Sequence, residues 1–184
     1  GSIGGTVRVI PAVPNLEKIE GKVATRLSQT DKEGGDNTML QGVLNIPLID
    51  DTLAIRGVVY QFDNSGYVKN VAASQPAAGL AVTESFGGIA QDKDDAGNDS
   101  YTGFRLSALW RPIDPLDITL SFLQQKIEQT GIPEVELALA GEYEQRRLNT
   151  GAGGSNDEFL KNEIEISNLV IKYDLGWAAI TNSF

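Results

Sequence analysis

Seven stretches of the chain alternate apolar and polar side chains with period two: 21–29, 37–46, 52–62, 101–111, 116–126, 162–173 and 176–184. Successive side chains of a strand point to opposite faces, so each stretch predicts a strand with one apolar and one wet face. The fifth is the cleanest. Leu116, Ile118, Leu120 and Phe122 share one parity, and Asp117, Thr119, Ser121 and Gln125 the other, with Leu123 as the exception. Phe104, Leu106, Ala108 and Trp110 alternate against Arg105, Ser107 and Arg111. Leu40, Gly42, Leu44 and Ile46 alternate against Gln41 and Asn45, and Leu53, Ile55 and Val59 against Arg56. In the sixth stretch Ile164 and Ile166 give way to Leu169, Ile171 and Tyr173 on the other parity, which predicts a β-bulge near Ser167-Asn168.

The connections add a second pattern. Tight links at Pro47–Asp51, Pro112–Pro115 and Asp174-Leu175 alternate with a polar loop over 28–37 and long loops over 63–100 and 127–161. Up-and-down barrels of outer membranes have short turns on one rim and long loops on the other. The predicted fold is therefore all-β, an antiparallel up-and-down meander forming part of a large transmembrane β-barrel. Stretches of about ten residues suit a tilted membrane crossing better than the five or six usual in globular sheets. Trp110, Tyr173 and Trp177 lie beside short turns, and Tyr60, Phe62 and Tyr101 beside a long loop, as two interfacial girdles would. Pro47 to Ile55 echoes Pro112 to Ile118: Pro stops the ladder, Asp caps the turn, and alternating Leu and Ile restart a strand. Patterning leaves open whether the apolar face meets lipid or a second sheet.

Composition narrows the chemistry. The chain has no Cys and no His, which removes thiolate chemistry, the usual zinc ligand and the usual general base. No run of about 18 apolar residues offers a spanning helix, a rule that does not apply to barrels. A net charge of −10 argues against nucleic-acid partners. Residues 63–100 carry six acids and two bases, and 127–161 seven acids and three bases, so each long loop holds −4 of that charge. Gly1 to Gly5 is neither basic nor followed by an apolar core, and there is no initiator Met; the chain reads as cut from something longer.

No candidate site displaces an ordinary structural explanation. Gly1 to Thr6 lacks the Lys and the helix of a phosphate loop, and 6–10 reads as a short strand before Pro11. Asp92 to Ser100 has acids at the first and third positions of a calcium loop and Gly at the sixth, but Gly103 where a bidentate Glu belongs. Asn98-Asp99-Ser100 is formally a glycosylation sequon. Pro133 to Leu148 fits a helix or a strand equally well, and its acids Glu134, Glu136, Glu142 and Glu144 do not single out a catalytic pair. Arg146 and Arg147 are the candidates for contact with an anionic ligand, set against a role balancing those glutamates. No catalytic, cofactor or metal residue is assigned, and the chain is not expected to be an enzyme.

Gly4-Gly5-Thr6-Val7-Arg8-Val9-Ile10, followed by Pro14 and a new strand, resembles the end of the plug domain of TonB-dependent outer-membrane receptors. Asn45 to Leu48, Tyr60 to Tyr67 and Lys172 to Ala178 are similar to early barrel strands and turns of that family. The resemblance implies a C-terminal end of a plug at 1–15, with Gly4, Gly5 and Arg8 at the plug–barrel junction. It also implies the first seven or so of 22 barrel strands at 16–184. Its further implications are outer-membrane lipid as surroundings, a TonB-type energy-transducing partner acting through a missing N-terminal region, and uptake of a siderophore, cobalamin or glycan. The alternatives are a non-gated porin or adhesin barrel, or a soluble β-sandwich binding module.

Overall fold

The computed structural model describes residues 4–5, 10–76, 88–149 and 158–184. Twelve strands form among them: β1 Glu20–Gln29, β2 Asp36–Ile49, β3 Leu53–Asn64, β4 Val68–Val71, β5 Ile89–Ala90, β6 Asp92–Ala96, β7 Asn98–Ile113, β8 Leu116–Thr130, β9 Glu144–Gln145, β10 Leu148–Asn149, β11 Phe159–Asp174 and β12 Ala179–Ser183. Seven of them make one antiparallel meander in the order β1-β2-β3-β7-β8-β11-β12. This sheet is open. Each of its strands contains or overlaps one of the seven alternating stretches, and β2, β7, β8 and β11 run longer than the pattern predicts. The described residues contain no helix, so 133–148 is turns, irregular chain, the two-residue strand β9 and the first residue of β10.

Meander topology puts the turns 50–52, 114–115 and 175–178 at one end of the sheet and the three longer loops at the other. Hydrogen bonds stitch neighbouring turns together: Arg111 N–H donates to Thr52 O at 2.7 Å and Asp174 N–H to Pro115 O at 2.7 Å. The echoed Pro segments are the two irregular places in the sheet. Register shifts between Pro47 and Ile49 and between Trp110 and Ile113, where a Pro interrupts the ladder. The first turn closes with Thr52 N–H on Ile49 O at 3.0 Å and Asp51 at φ 56°.

The bulge expected near Ser167-Asn168 is absent. β11 pairs with β8 in unbroken register from Phe159 to Tyr173. Its parity change is an exchange of faces. Leu169, Ile171 and Tyr173 share a face with Leu120, Ile118 and Leu116, whereas Ile164 and Ile166 share the other with Gln125 and Leu123. That also accounts for Leu123, the exception in β8.

Register assigns the whole sheet. Face A carries Leu40, Leu44, Leu53, Ile55, Leu106, Trp110, Ile118, Leu120 and Phe122. Face B carries Gln41, Arg56, Arg105, Arg111 and Thr119. Tyr60, Phe62 and Tyr101 lie on face B, opposite the apolar band, so they form no girdle for it. Trp110 and Tyr173 do lie on face A beside the short turns, and Trp177, in the last turn, is 86% exposed.

Candidate functional site: the loop cap and the two faces of the sheet

The longer loops fold together at their end of the sheet. β4 pairs antiparallel with β6 of its own loop and parallel with β9 of the next, around buried Val68, Val71, Ala72 and Ala96. Asn70, also buried, fastens the two loops. Its Nδ2 donates to Gln91 O at 2.8 Å and Arg147 O at 2.9 Å, and its Oδ1 accepts Arg147 N–H at 2.8 Å. Loop 30–35 joins through Lys32, which pairs with Glu142 and lies 4.3 Å from the Tyr143 ring centre, and through Glu33, 3.7 Å from Lys69.

The acids of the calcium-like loop are consumed inside this cap. Asp92 accepts the Ala73 and Ser74 N–H groups, Asp94 pairs with Lys69 at 3.2 Å, and Asp95 accepts Gly66 N–H. Among the described residues no group of carboxylates converges to hold a metal ion. Arg146 pairs with Glu136, and Arg147 with Glu134 and, at 3.0 Å, Glu158. The two ligand candidates therefore brace the cap. Glu142 and Glu136 are held below the ordinary carboxyl value of 4.5 by hydrogen bonds from Lys32 and Arg146, and Asp92 below 3.8 by the backbone N–H of Ser74. Lys32 and Lys69 are raised above 10.5 by Glu142 and Asp94.

On face A the apolar side chains form a slanted band. Its loop-side edge is Leu169 on β11, Phe122 on β8, Phe104 on β7, Val59 on β3, Leu40 on β2 and Leu27 on β1. The next residue on that face is polar on every strand: Ser167, Gln124, Thr102, Gln61, Thr38 and Gln29. Relative to the paired rows, the edge steps two residues toward the loops at four of the five strand crossings. The turn-side edge, through Tyr173, Leu116, Ile113, Leu53 and Ile49, does not repeat that slope: Tyr173 pairs with Leu116, Leu116 with Ile113, and Leu53 with Ile49. With about 3.3 Å per residue and about 4.8 Å between strands, the loop-side slope makes the strands tilt about 48° from the normal to that edge. Much of the band is open: Leu106 is 52% exposed and Leu120 57%.

Face B is different. Residues 10–19 lie across its turn-side half, where Leu16 packs with Ala54 and Leu109. Asn45, fully buried, holds them: its Oδ1 accepts Asn15 N–H at 2.8 Å, and its Nδ2 donates to Asn15 O at 2.9 Å and Lys18 O at 2.8 Å. Arg105 donates to Ala12 O at 3.3 Å. Comparison with family models, curated proteins and solved structures finds no match for this chain.

Of the junction residues, Gly4 and Gly5 are exposed, Gly5 with φ 102°, and Arg8 lies outside the described residues. Sequence reasoning missed Asn45 and Asn70. Each sits at a polar-parity or loop position where an Asn is unremarkable, and what sets it apart is its partner's location: Asn15 is 30 residues from Asn45, and Arg147 is 77 from Asn70.

Proposed function

We propose that the chain is part of the wall of an outer-membrane β-barrel, and within that class the plug–barrel junction and first seven strands of a TonB-dependent receptor. The slanted band is the observation that carries the membrane reading. A planar hydrocarbon slab crossed by strands tilted about 35–45° requires a band whose two edges step along the strands at that slope. On face A the loop-side edge steps in this way. A sandwich would instead seal these residues under a second sheet, and no sheet among the described residues lies on them.

The receptor reading rests on the plug-like N-terminal sequence, and the docking of residues 10–19 on the polar face supports it. In that reading 1–15 is the end of the plug and 16–184 is barrel. Face B lines the lumen, and the cap of loops meets the solute outside the cell. Function is energised uptake of a scarce nutrient such as a siderophore, cobalamin or glycan, with a TonB-type protein pulling on the plug.

Spin labels at Ile118 and Thr119, in the chain folded into lipid vesicles, test the membrane reading. The Ile118 label should respond to a lipid-soluble quencher and the Thr119 label to a water-soluble one. Shielding of Ile118 from both would promote the sandwich. Uptake that persists without the energy-transducing protein would favour a porin or adhesin.

A further inference from the structure

On face B, Arg56, Arg105 and Ser107 stand together with too few acceptors among the described residues. Ser107 is opposite Arg56 in register and two residues from Arg105 on the same strand face. Arg105 reaches the Ala12 carbonyl, and the carboxylate paired with Arg56 is that of Glu20, 3.6 Å away. The Ser107 hydroxyl is buried with no partner among the described residues. Buried polar groups of native proteins are almost always satisfied, and guanidinium groups favour bidentate acceptors. The segment crossing this face offers little: residues 10–19 contain one acid, Glu17, and it is exposed.

Toward the loops the same face turns apolar. Val58 and Leu123 flank Arg105 in one row, and two rows further on Phe62, Tyr101 and Ile127 stand side by side. The separation is four residues along the strands, about 13 Å.

We propose that this surface binds a small organic anion with an apolar or aromatic body. The anionic head, a carboxylate, phosphate or sulfonate, accepts from Arg56 and Arg105, and the body runs along the strands to Phe62, Tyr101 and Ile127. Charge and apolar surface are complementary to such a molecule at a matching separation. The inference rests on the barrel reading, in which face B is the lumenal wall, and it narrows the solute class from the neutral glycans to amphipathic anions.

The test titrates the full chain, folded into zwitterionic lipid nanodiscs, with 6-phenylhexanoate and with its uncharged amide, read by ligand-observed NMR. The amide partitions better into lipid, so membrane uptake alone would favour it. The expected result is an anion bound about tenfold or more tighter than the amide, a preference that Arg105→Gln removes and Arg105→Lys partly keeps. Phe62→Ala should weaken the anion several-fold without abolishing its preference over the amide. Equal affinity for acid and amide, indifference to Arg105→Gln, or inorganic phosphate binding as tightly as the aryl acid would overturn the proposal. A water-accessible Thr119 label in the same nanodiscs keeps such a failure distinct from failure of the barrel reading.

Discussion

Tyr60 lies across Gly103 of the neighbouring strand and donates from its hydroxyl to Gln125 Oε1, one strand further on, at 2.6 Å. A Cβ at position 103 would come within 2.5 Å of the Tyr60 hydroxyl oxygen and 2.8 Å of the Gln124 carbonyl oxygen. The first can swing away; the second is backbone. Gly103→Ala should therefore destabilise the sheet by about 1–3 kcal/mol, measured by urea unfolding in detergent. Tyr60→Phe, which loses only the hydrogen bond, should cost about 1 kcal/mol.

Asn45→Ala should release residues 10–19 without dissolving the sheet. It leaves backbone groups of Asn15 and Lys18 without partners in a part-buried place, at about 1 kcal/mol. Hydrogen exchange should speed up at the Asn15 amide while the β2–β3 amides keep their protection. Unchanged exchange at Asn15 would show that Leu16 packing alone holds the segment.

The cap should loosen in acid and in strong base, and hold between. Glu142, Glu136 and Asp92 have depressed values, so the stability they lend is present above the ordinary values of 4.5 and 3.8 and is lost as pH falls through their folded values. Lys32 and Lys69 are raised, so theirs is complete below 10.5 and is lost as pH climbs through their folded values. Protection of the Lys69 amide, which donates to Tyr143 O, follows this as a function of pH.

Arginine scanning separates the two faces. On the lipid face an Arg near midplane costs about 2–4 kcal/mol, falling toward zero at the interface. Leu120→Arg should block membrane assembly in the full-length protein, whereas Thr119→Arg, one residue away on the face that already carries Arg56 and Arg105, should be tolerated. Equal tolerance of both would refute the face assignment.

The isolated chain should aggregate in water or require detergent. Among the described residues β1 and β12 are the outer strands of an open sheet, with no strand paired along one side of each. Val23 and Leu27 on β1 are 75% and 81% exposed. A monodisperse, cooperatively melting monomer in buffer would contradict this.

The meander was legible because period two survives in any single strand, and because Pro and Asp mark tight turns wherever they lead. The exchange of faces in β11 was not. One strand shows only that its parity changes; whether the backbone bulges or the apolar side moves over depends on the parity of β8 beside it. Tyr60, Phe62 and Tyr101 were misplaced for the same reason, since nearness to a loop does not say which face an aromatic takes. β4, β6 and β9 were illegible because ladders of two to five residues draw on partners tens of residues away, with little periodicity of their own. Arg146 and Arg147 could be matched to nearby glutamates by charge, but only coordinates decide which of them each arginine takes.

Loops 30–35, 65–97 and 131–158 are tied pairwise: by Lys32 to Glu142, by Lys69 to Glu33, and by Asn70 to Arg147. Three bodies fastened in a triangle have no independent hinge. Swinging any one of them outward strains two fastenings at once, so the described part of this rim opens cooperatively or stays shut. If the proposed receptor reading holds, a solute arriving from that side would meet these loops as one body, and Asn70, which fastens two of them, would bear on its opening without touching the solute.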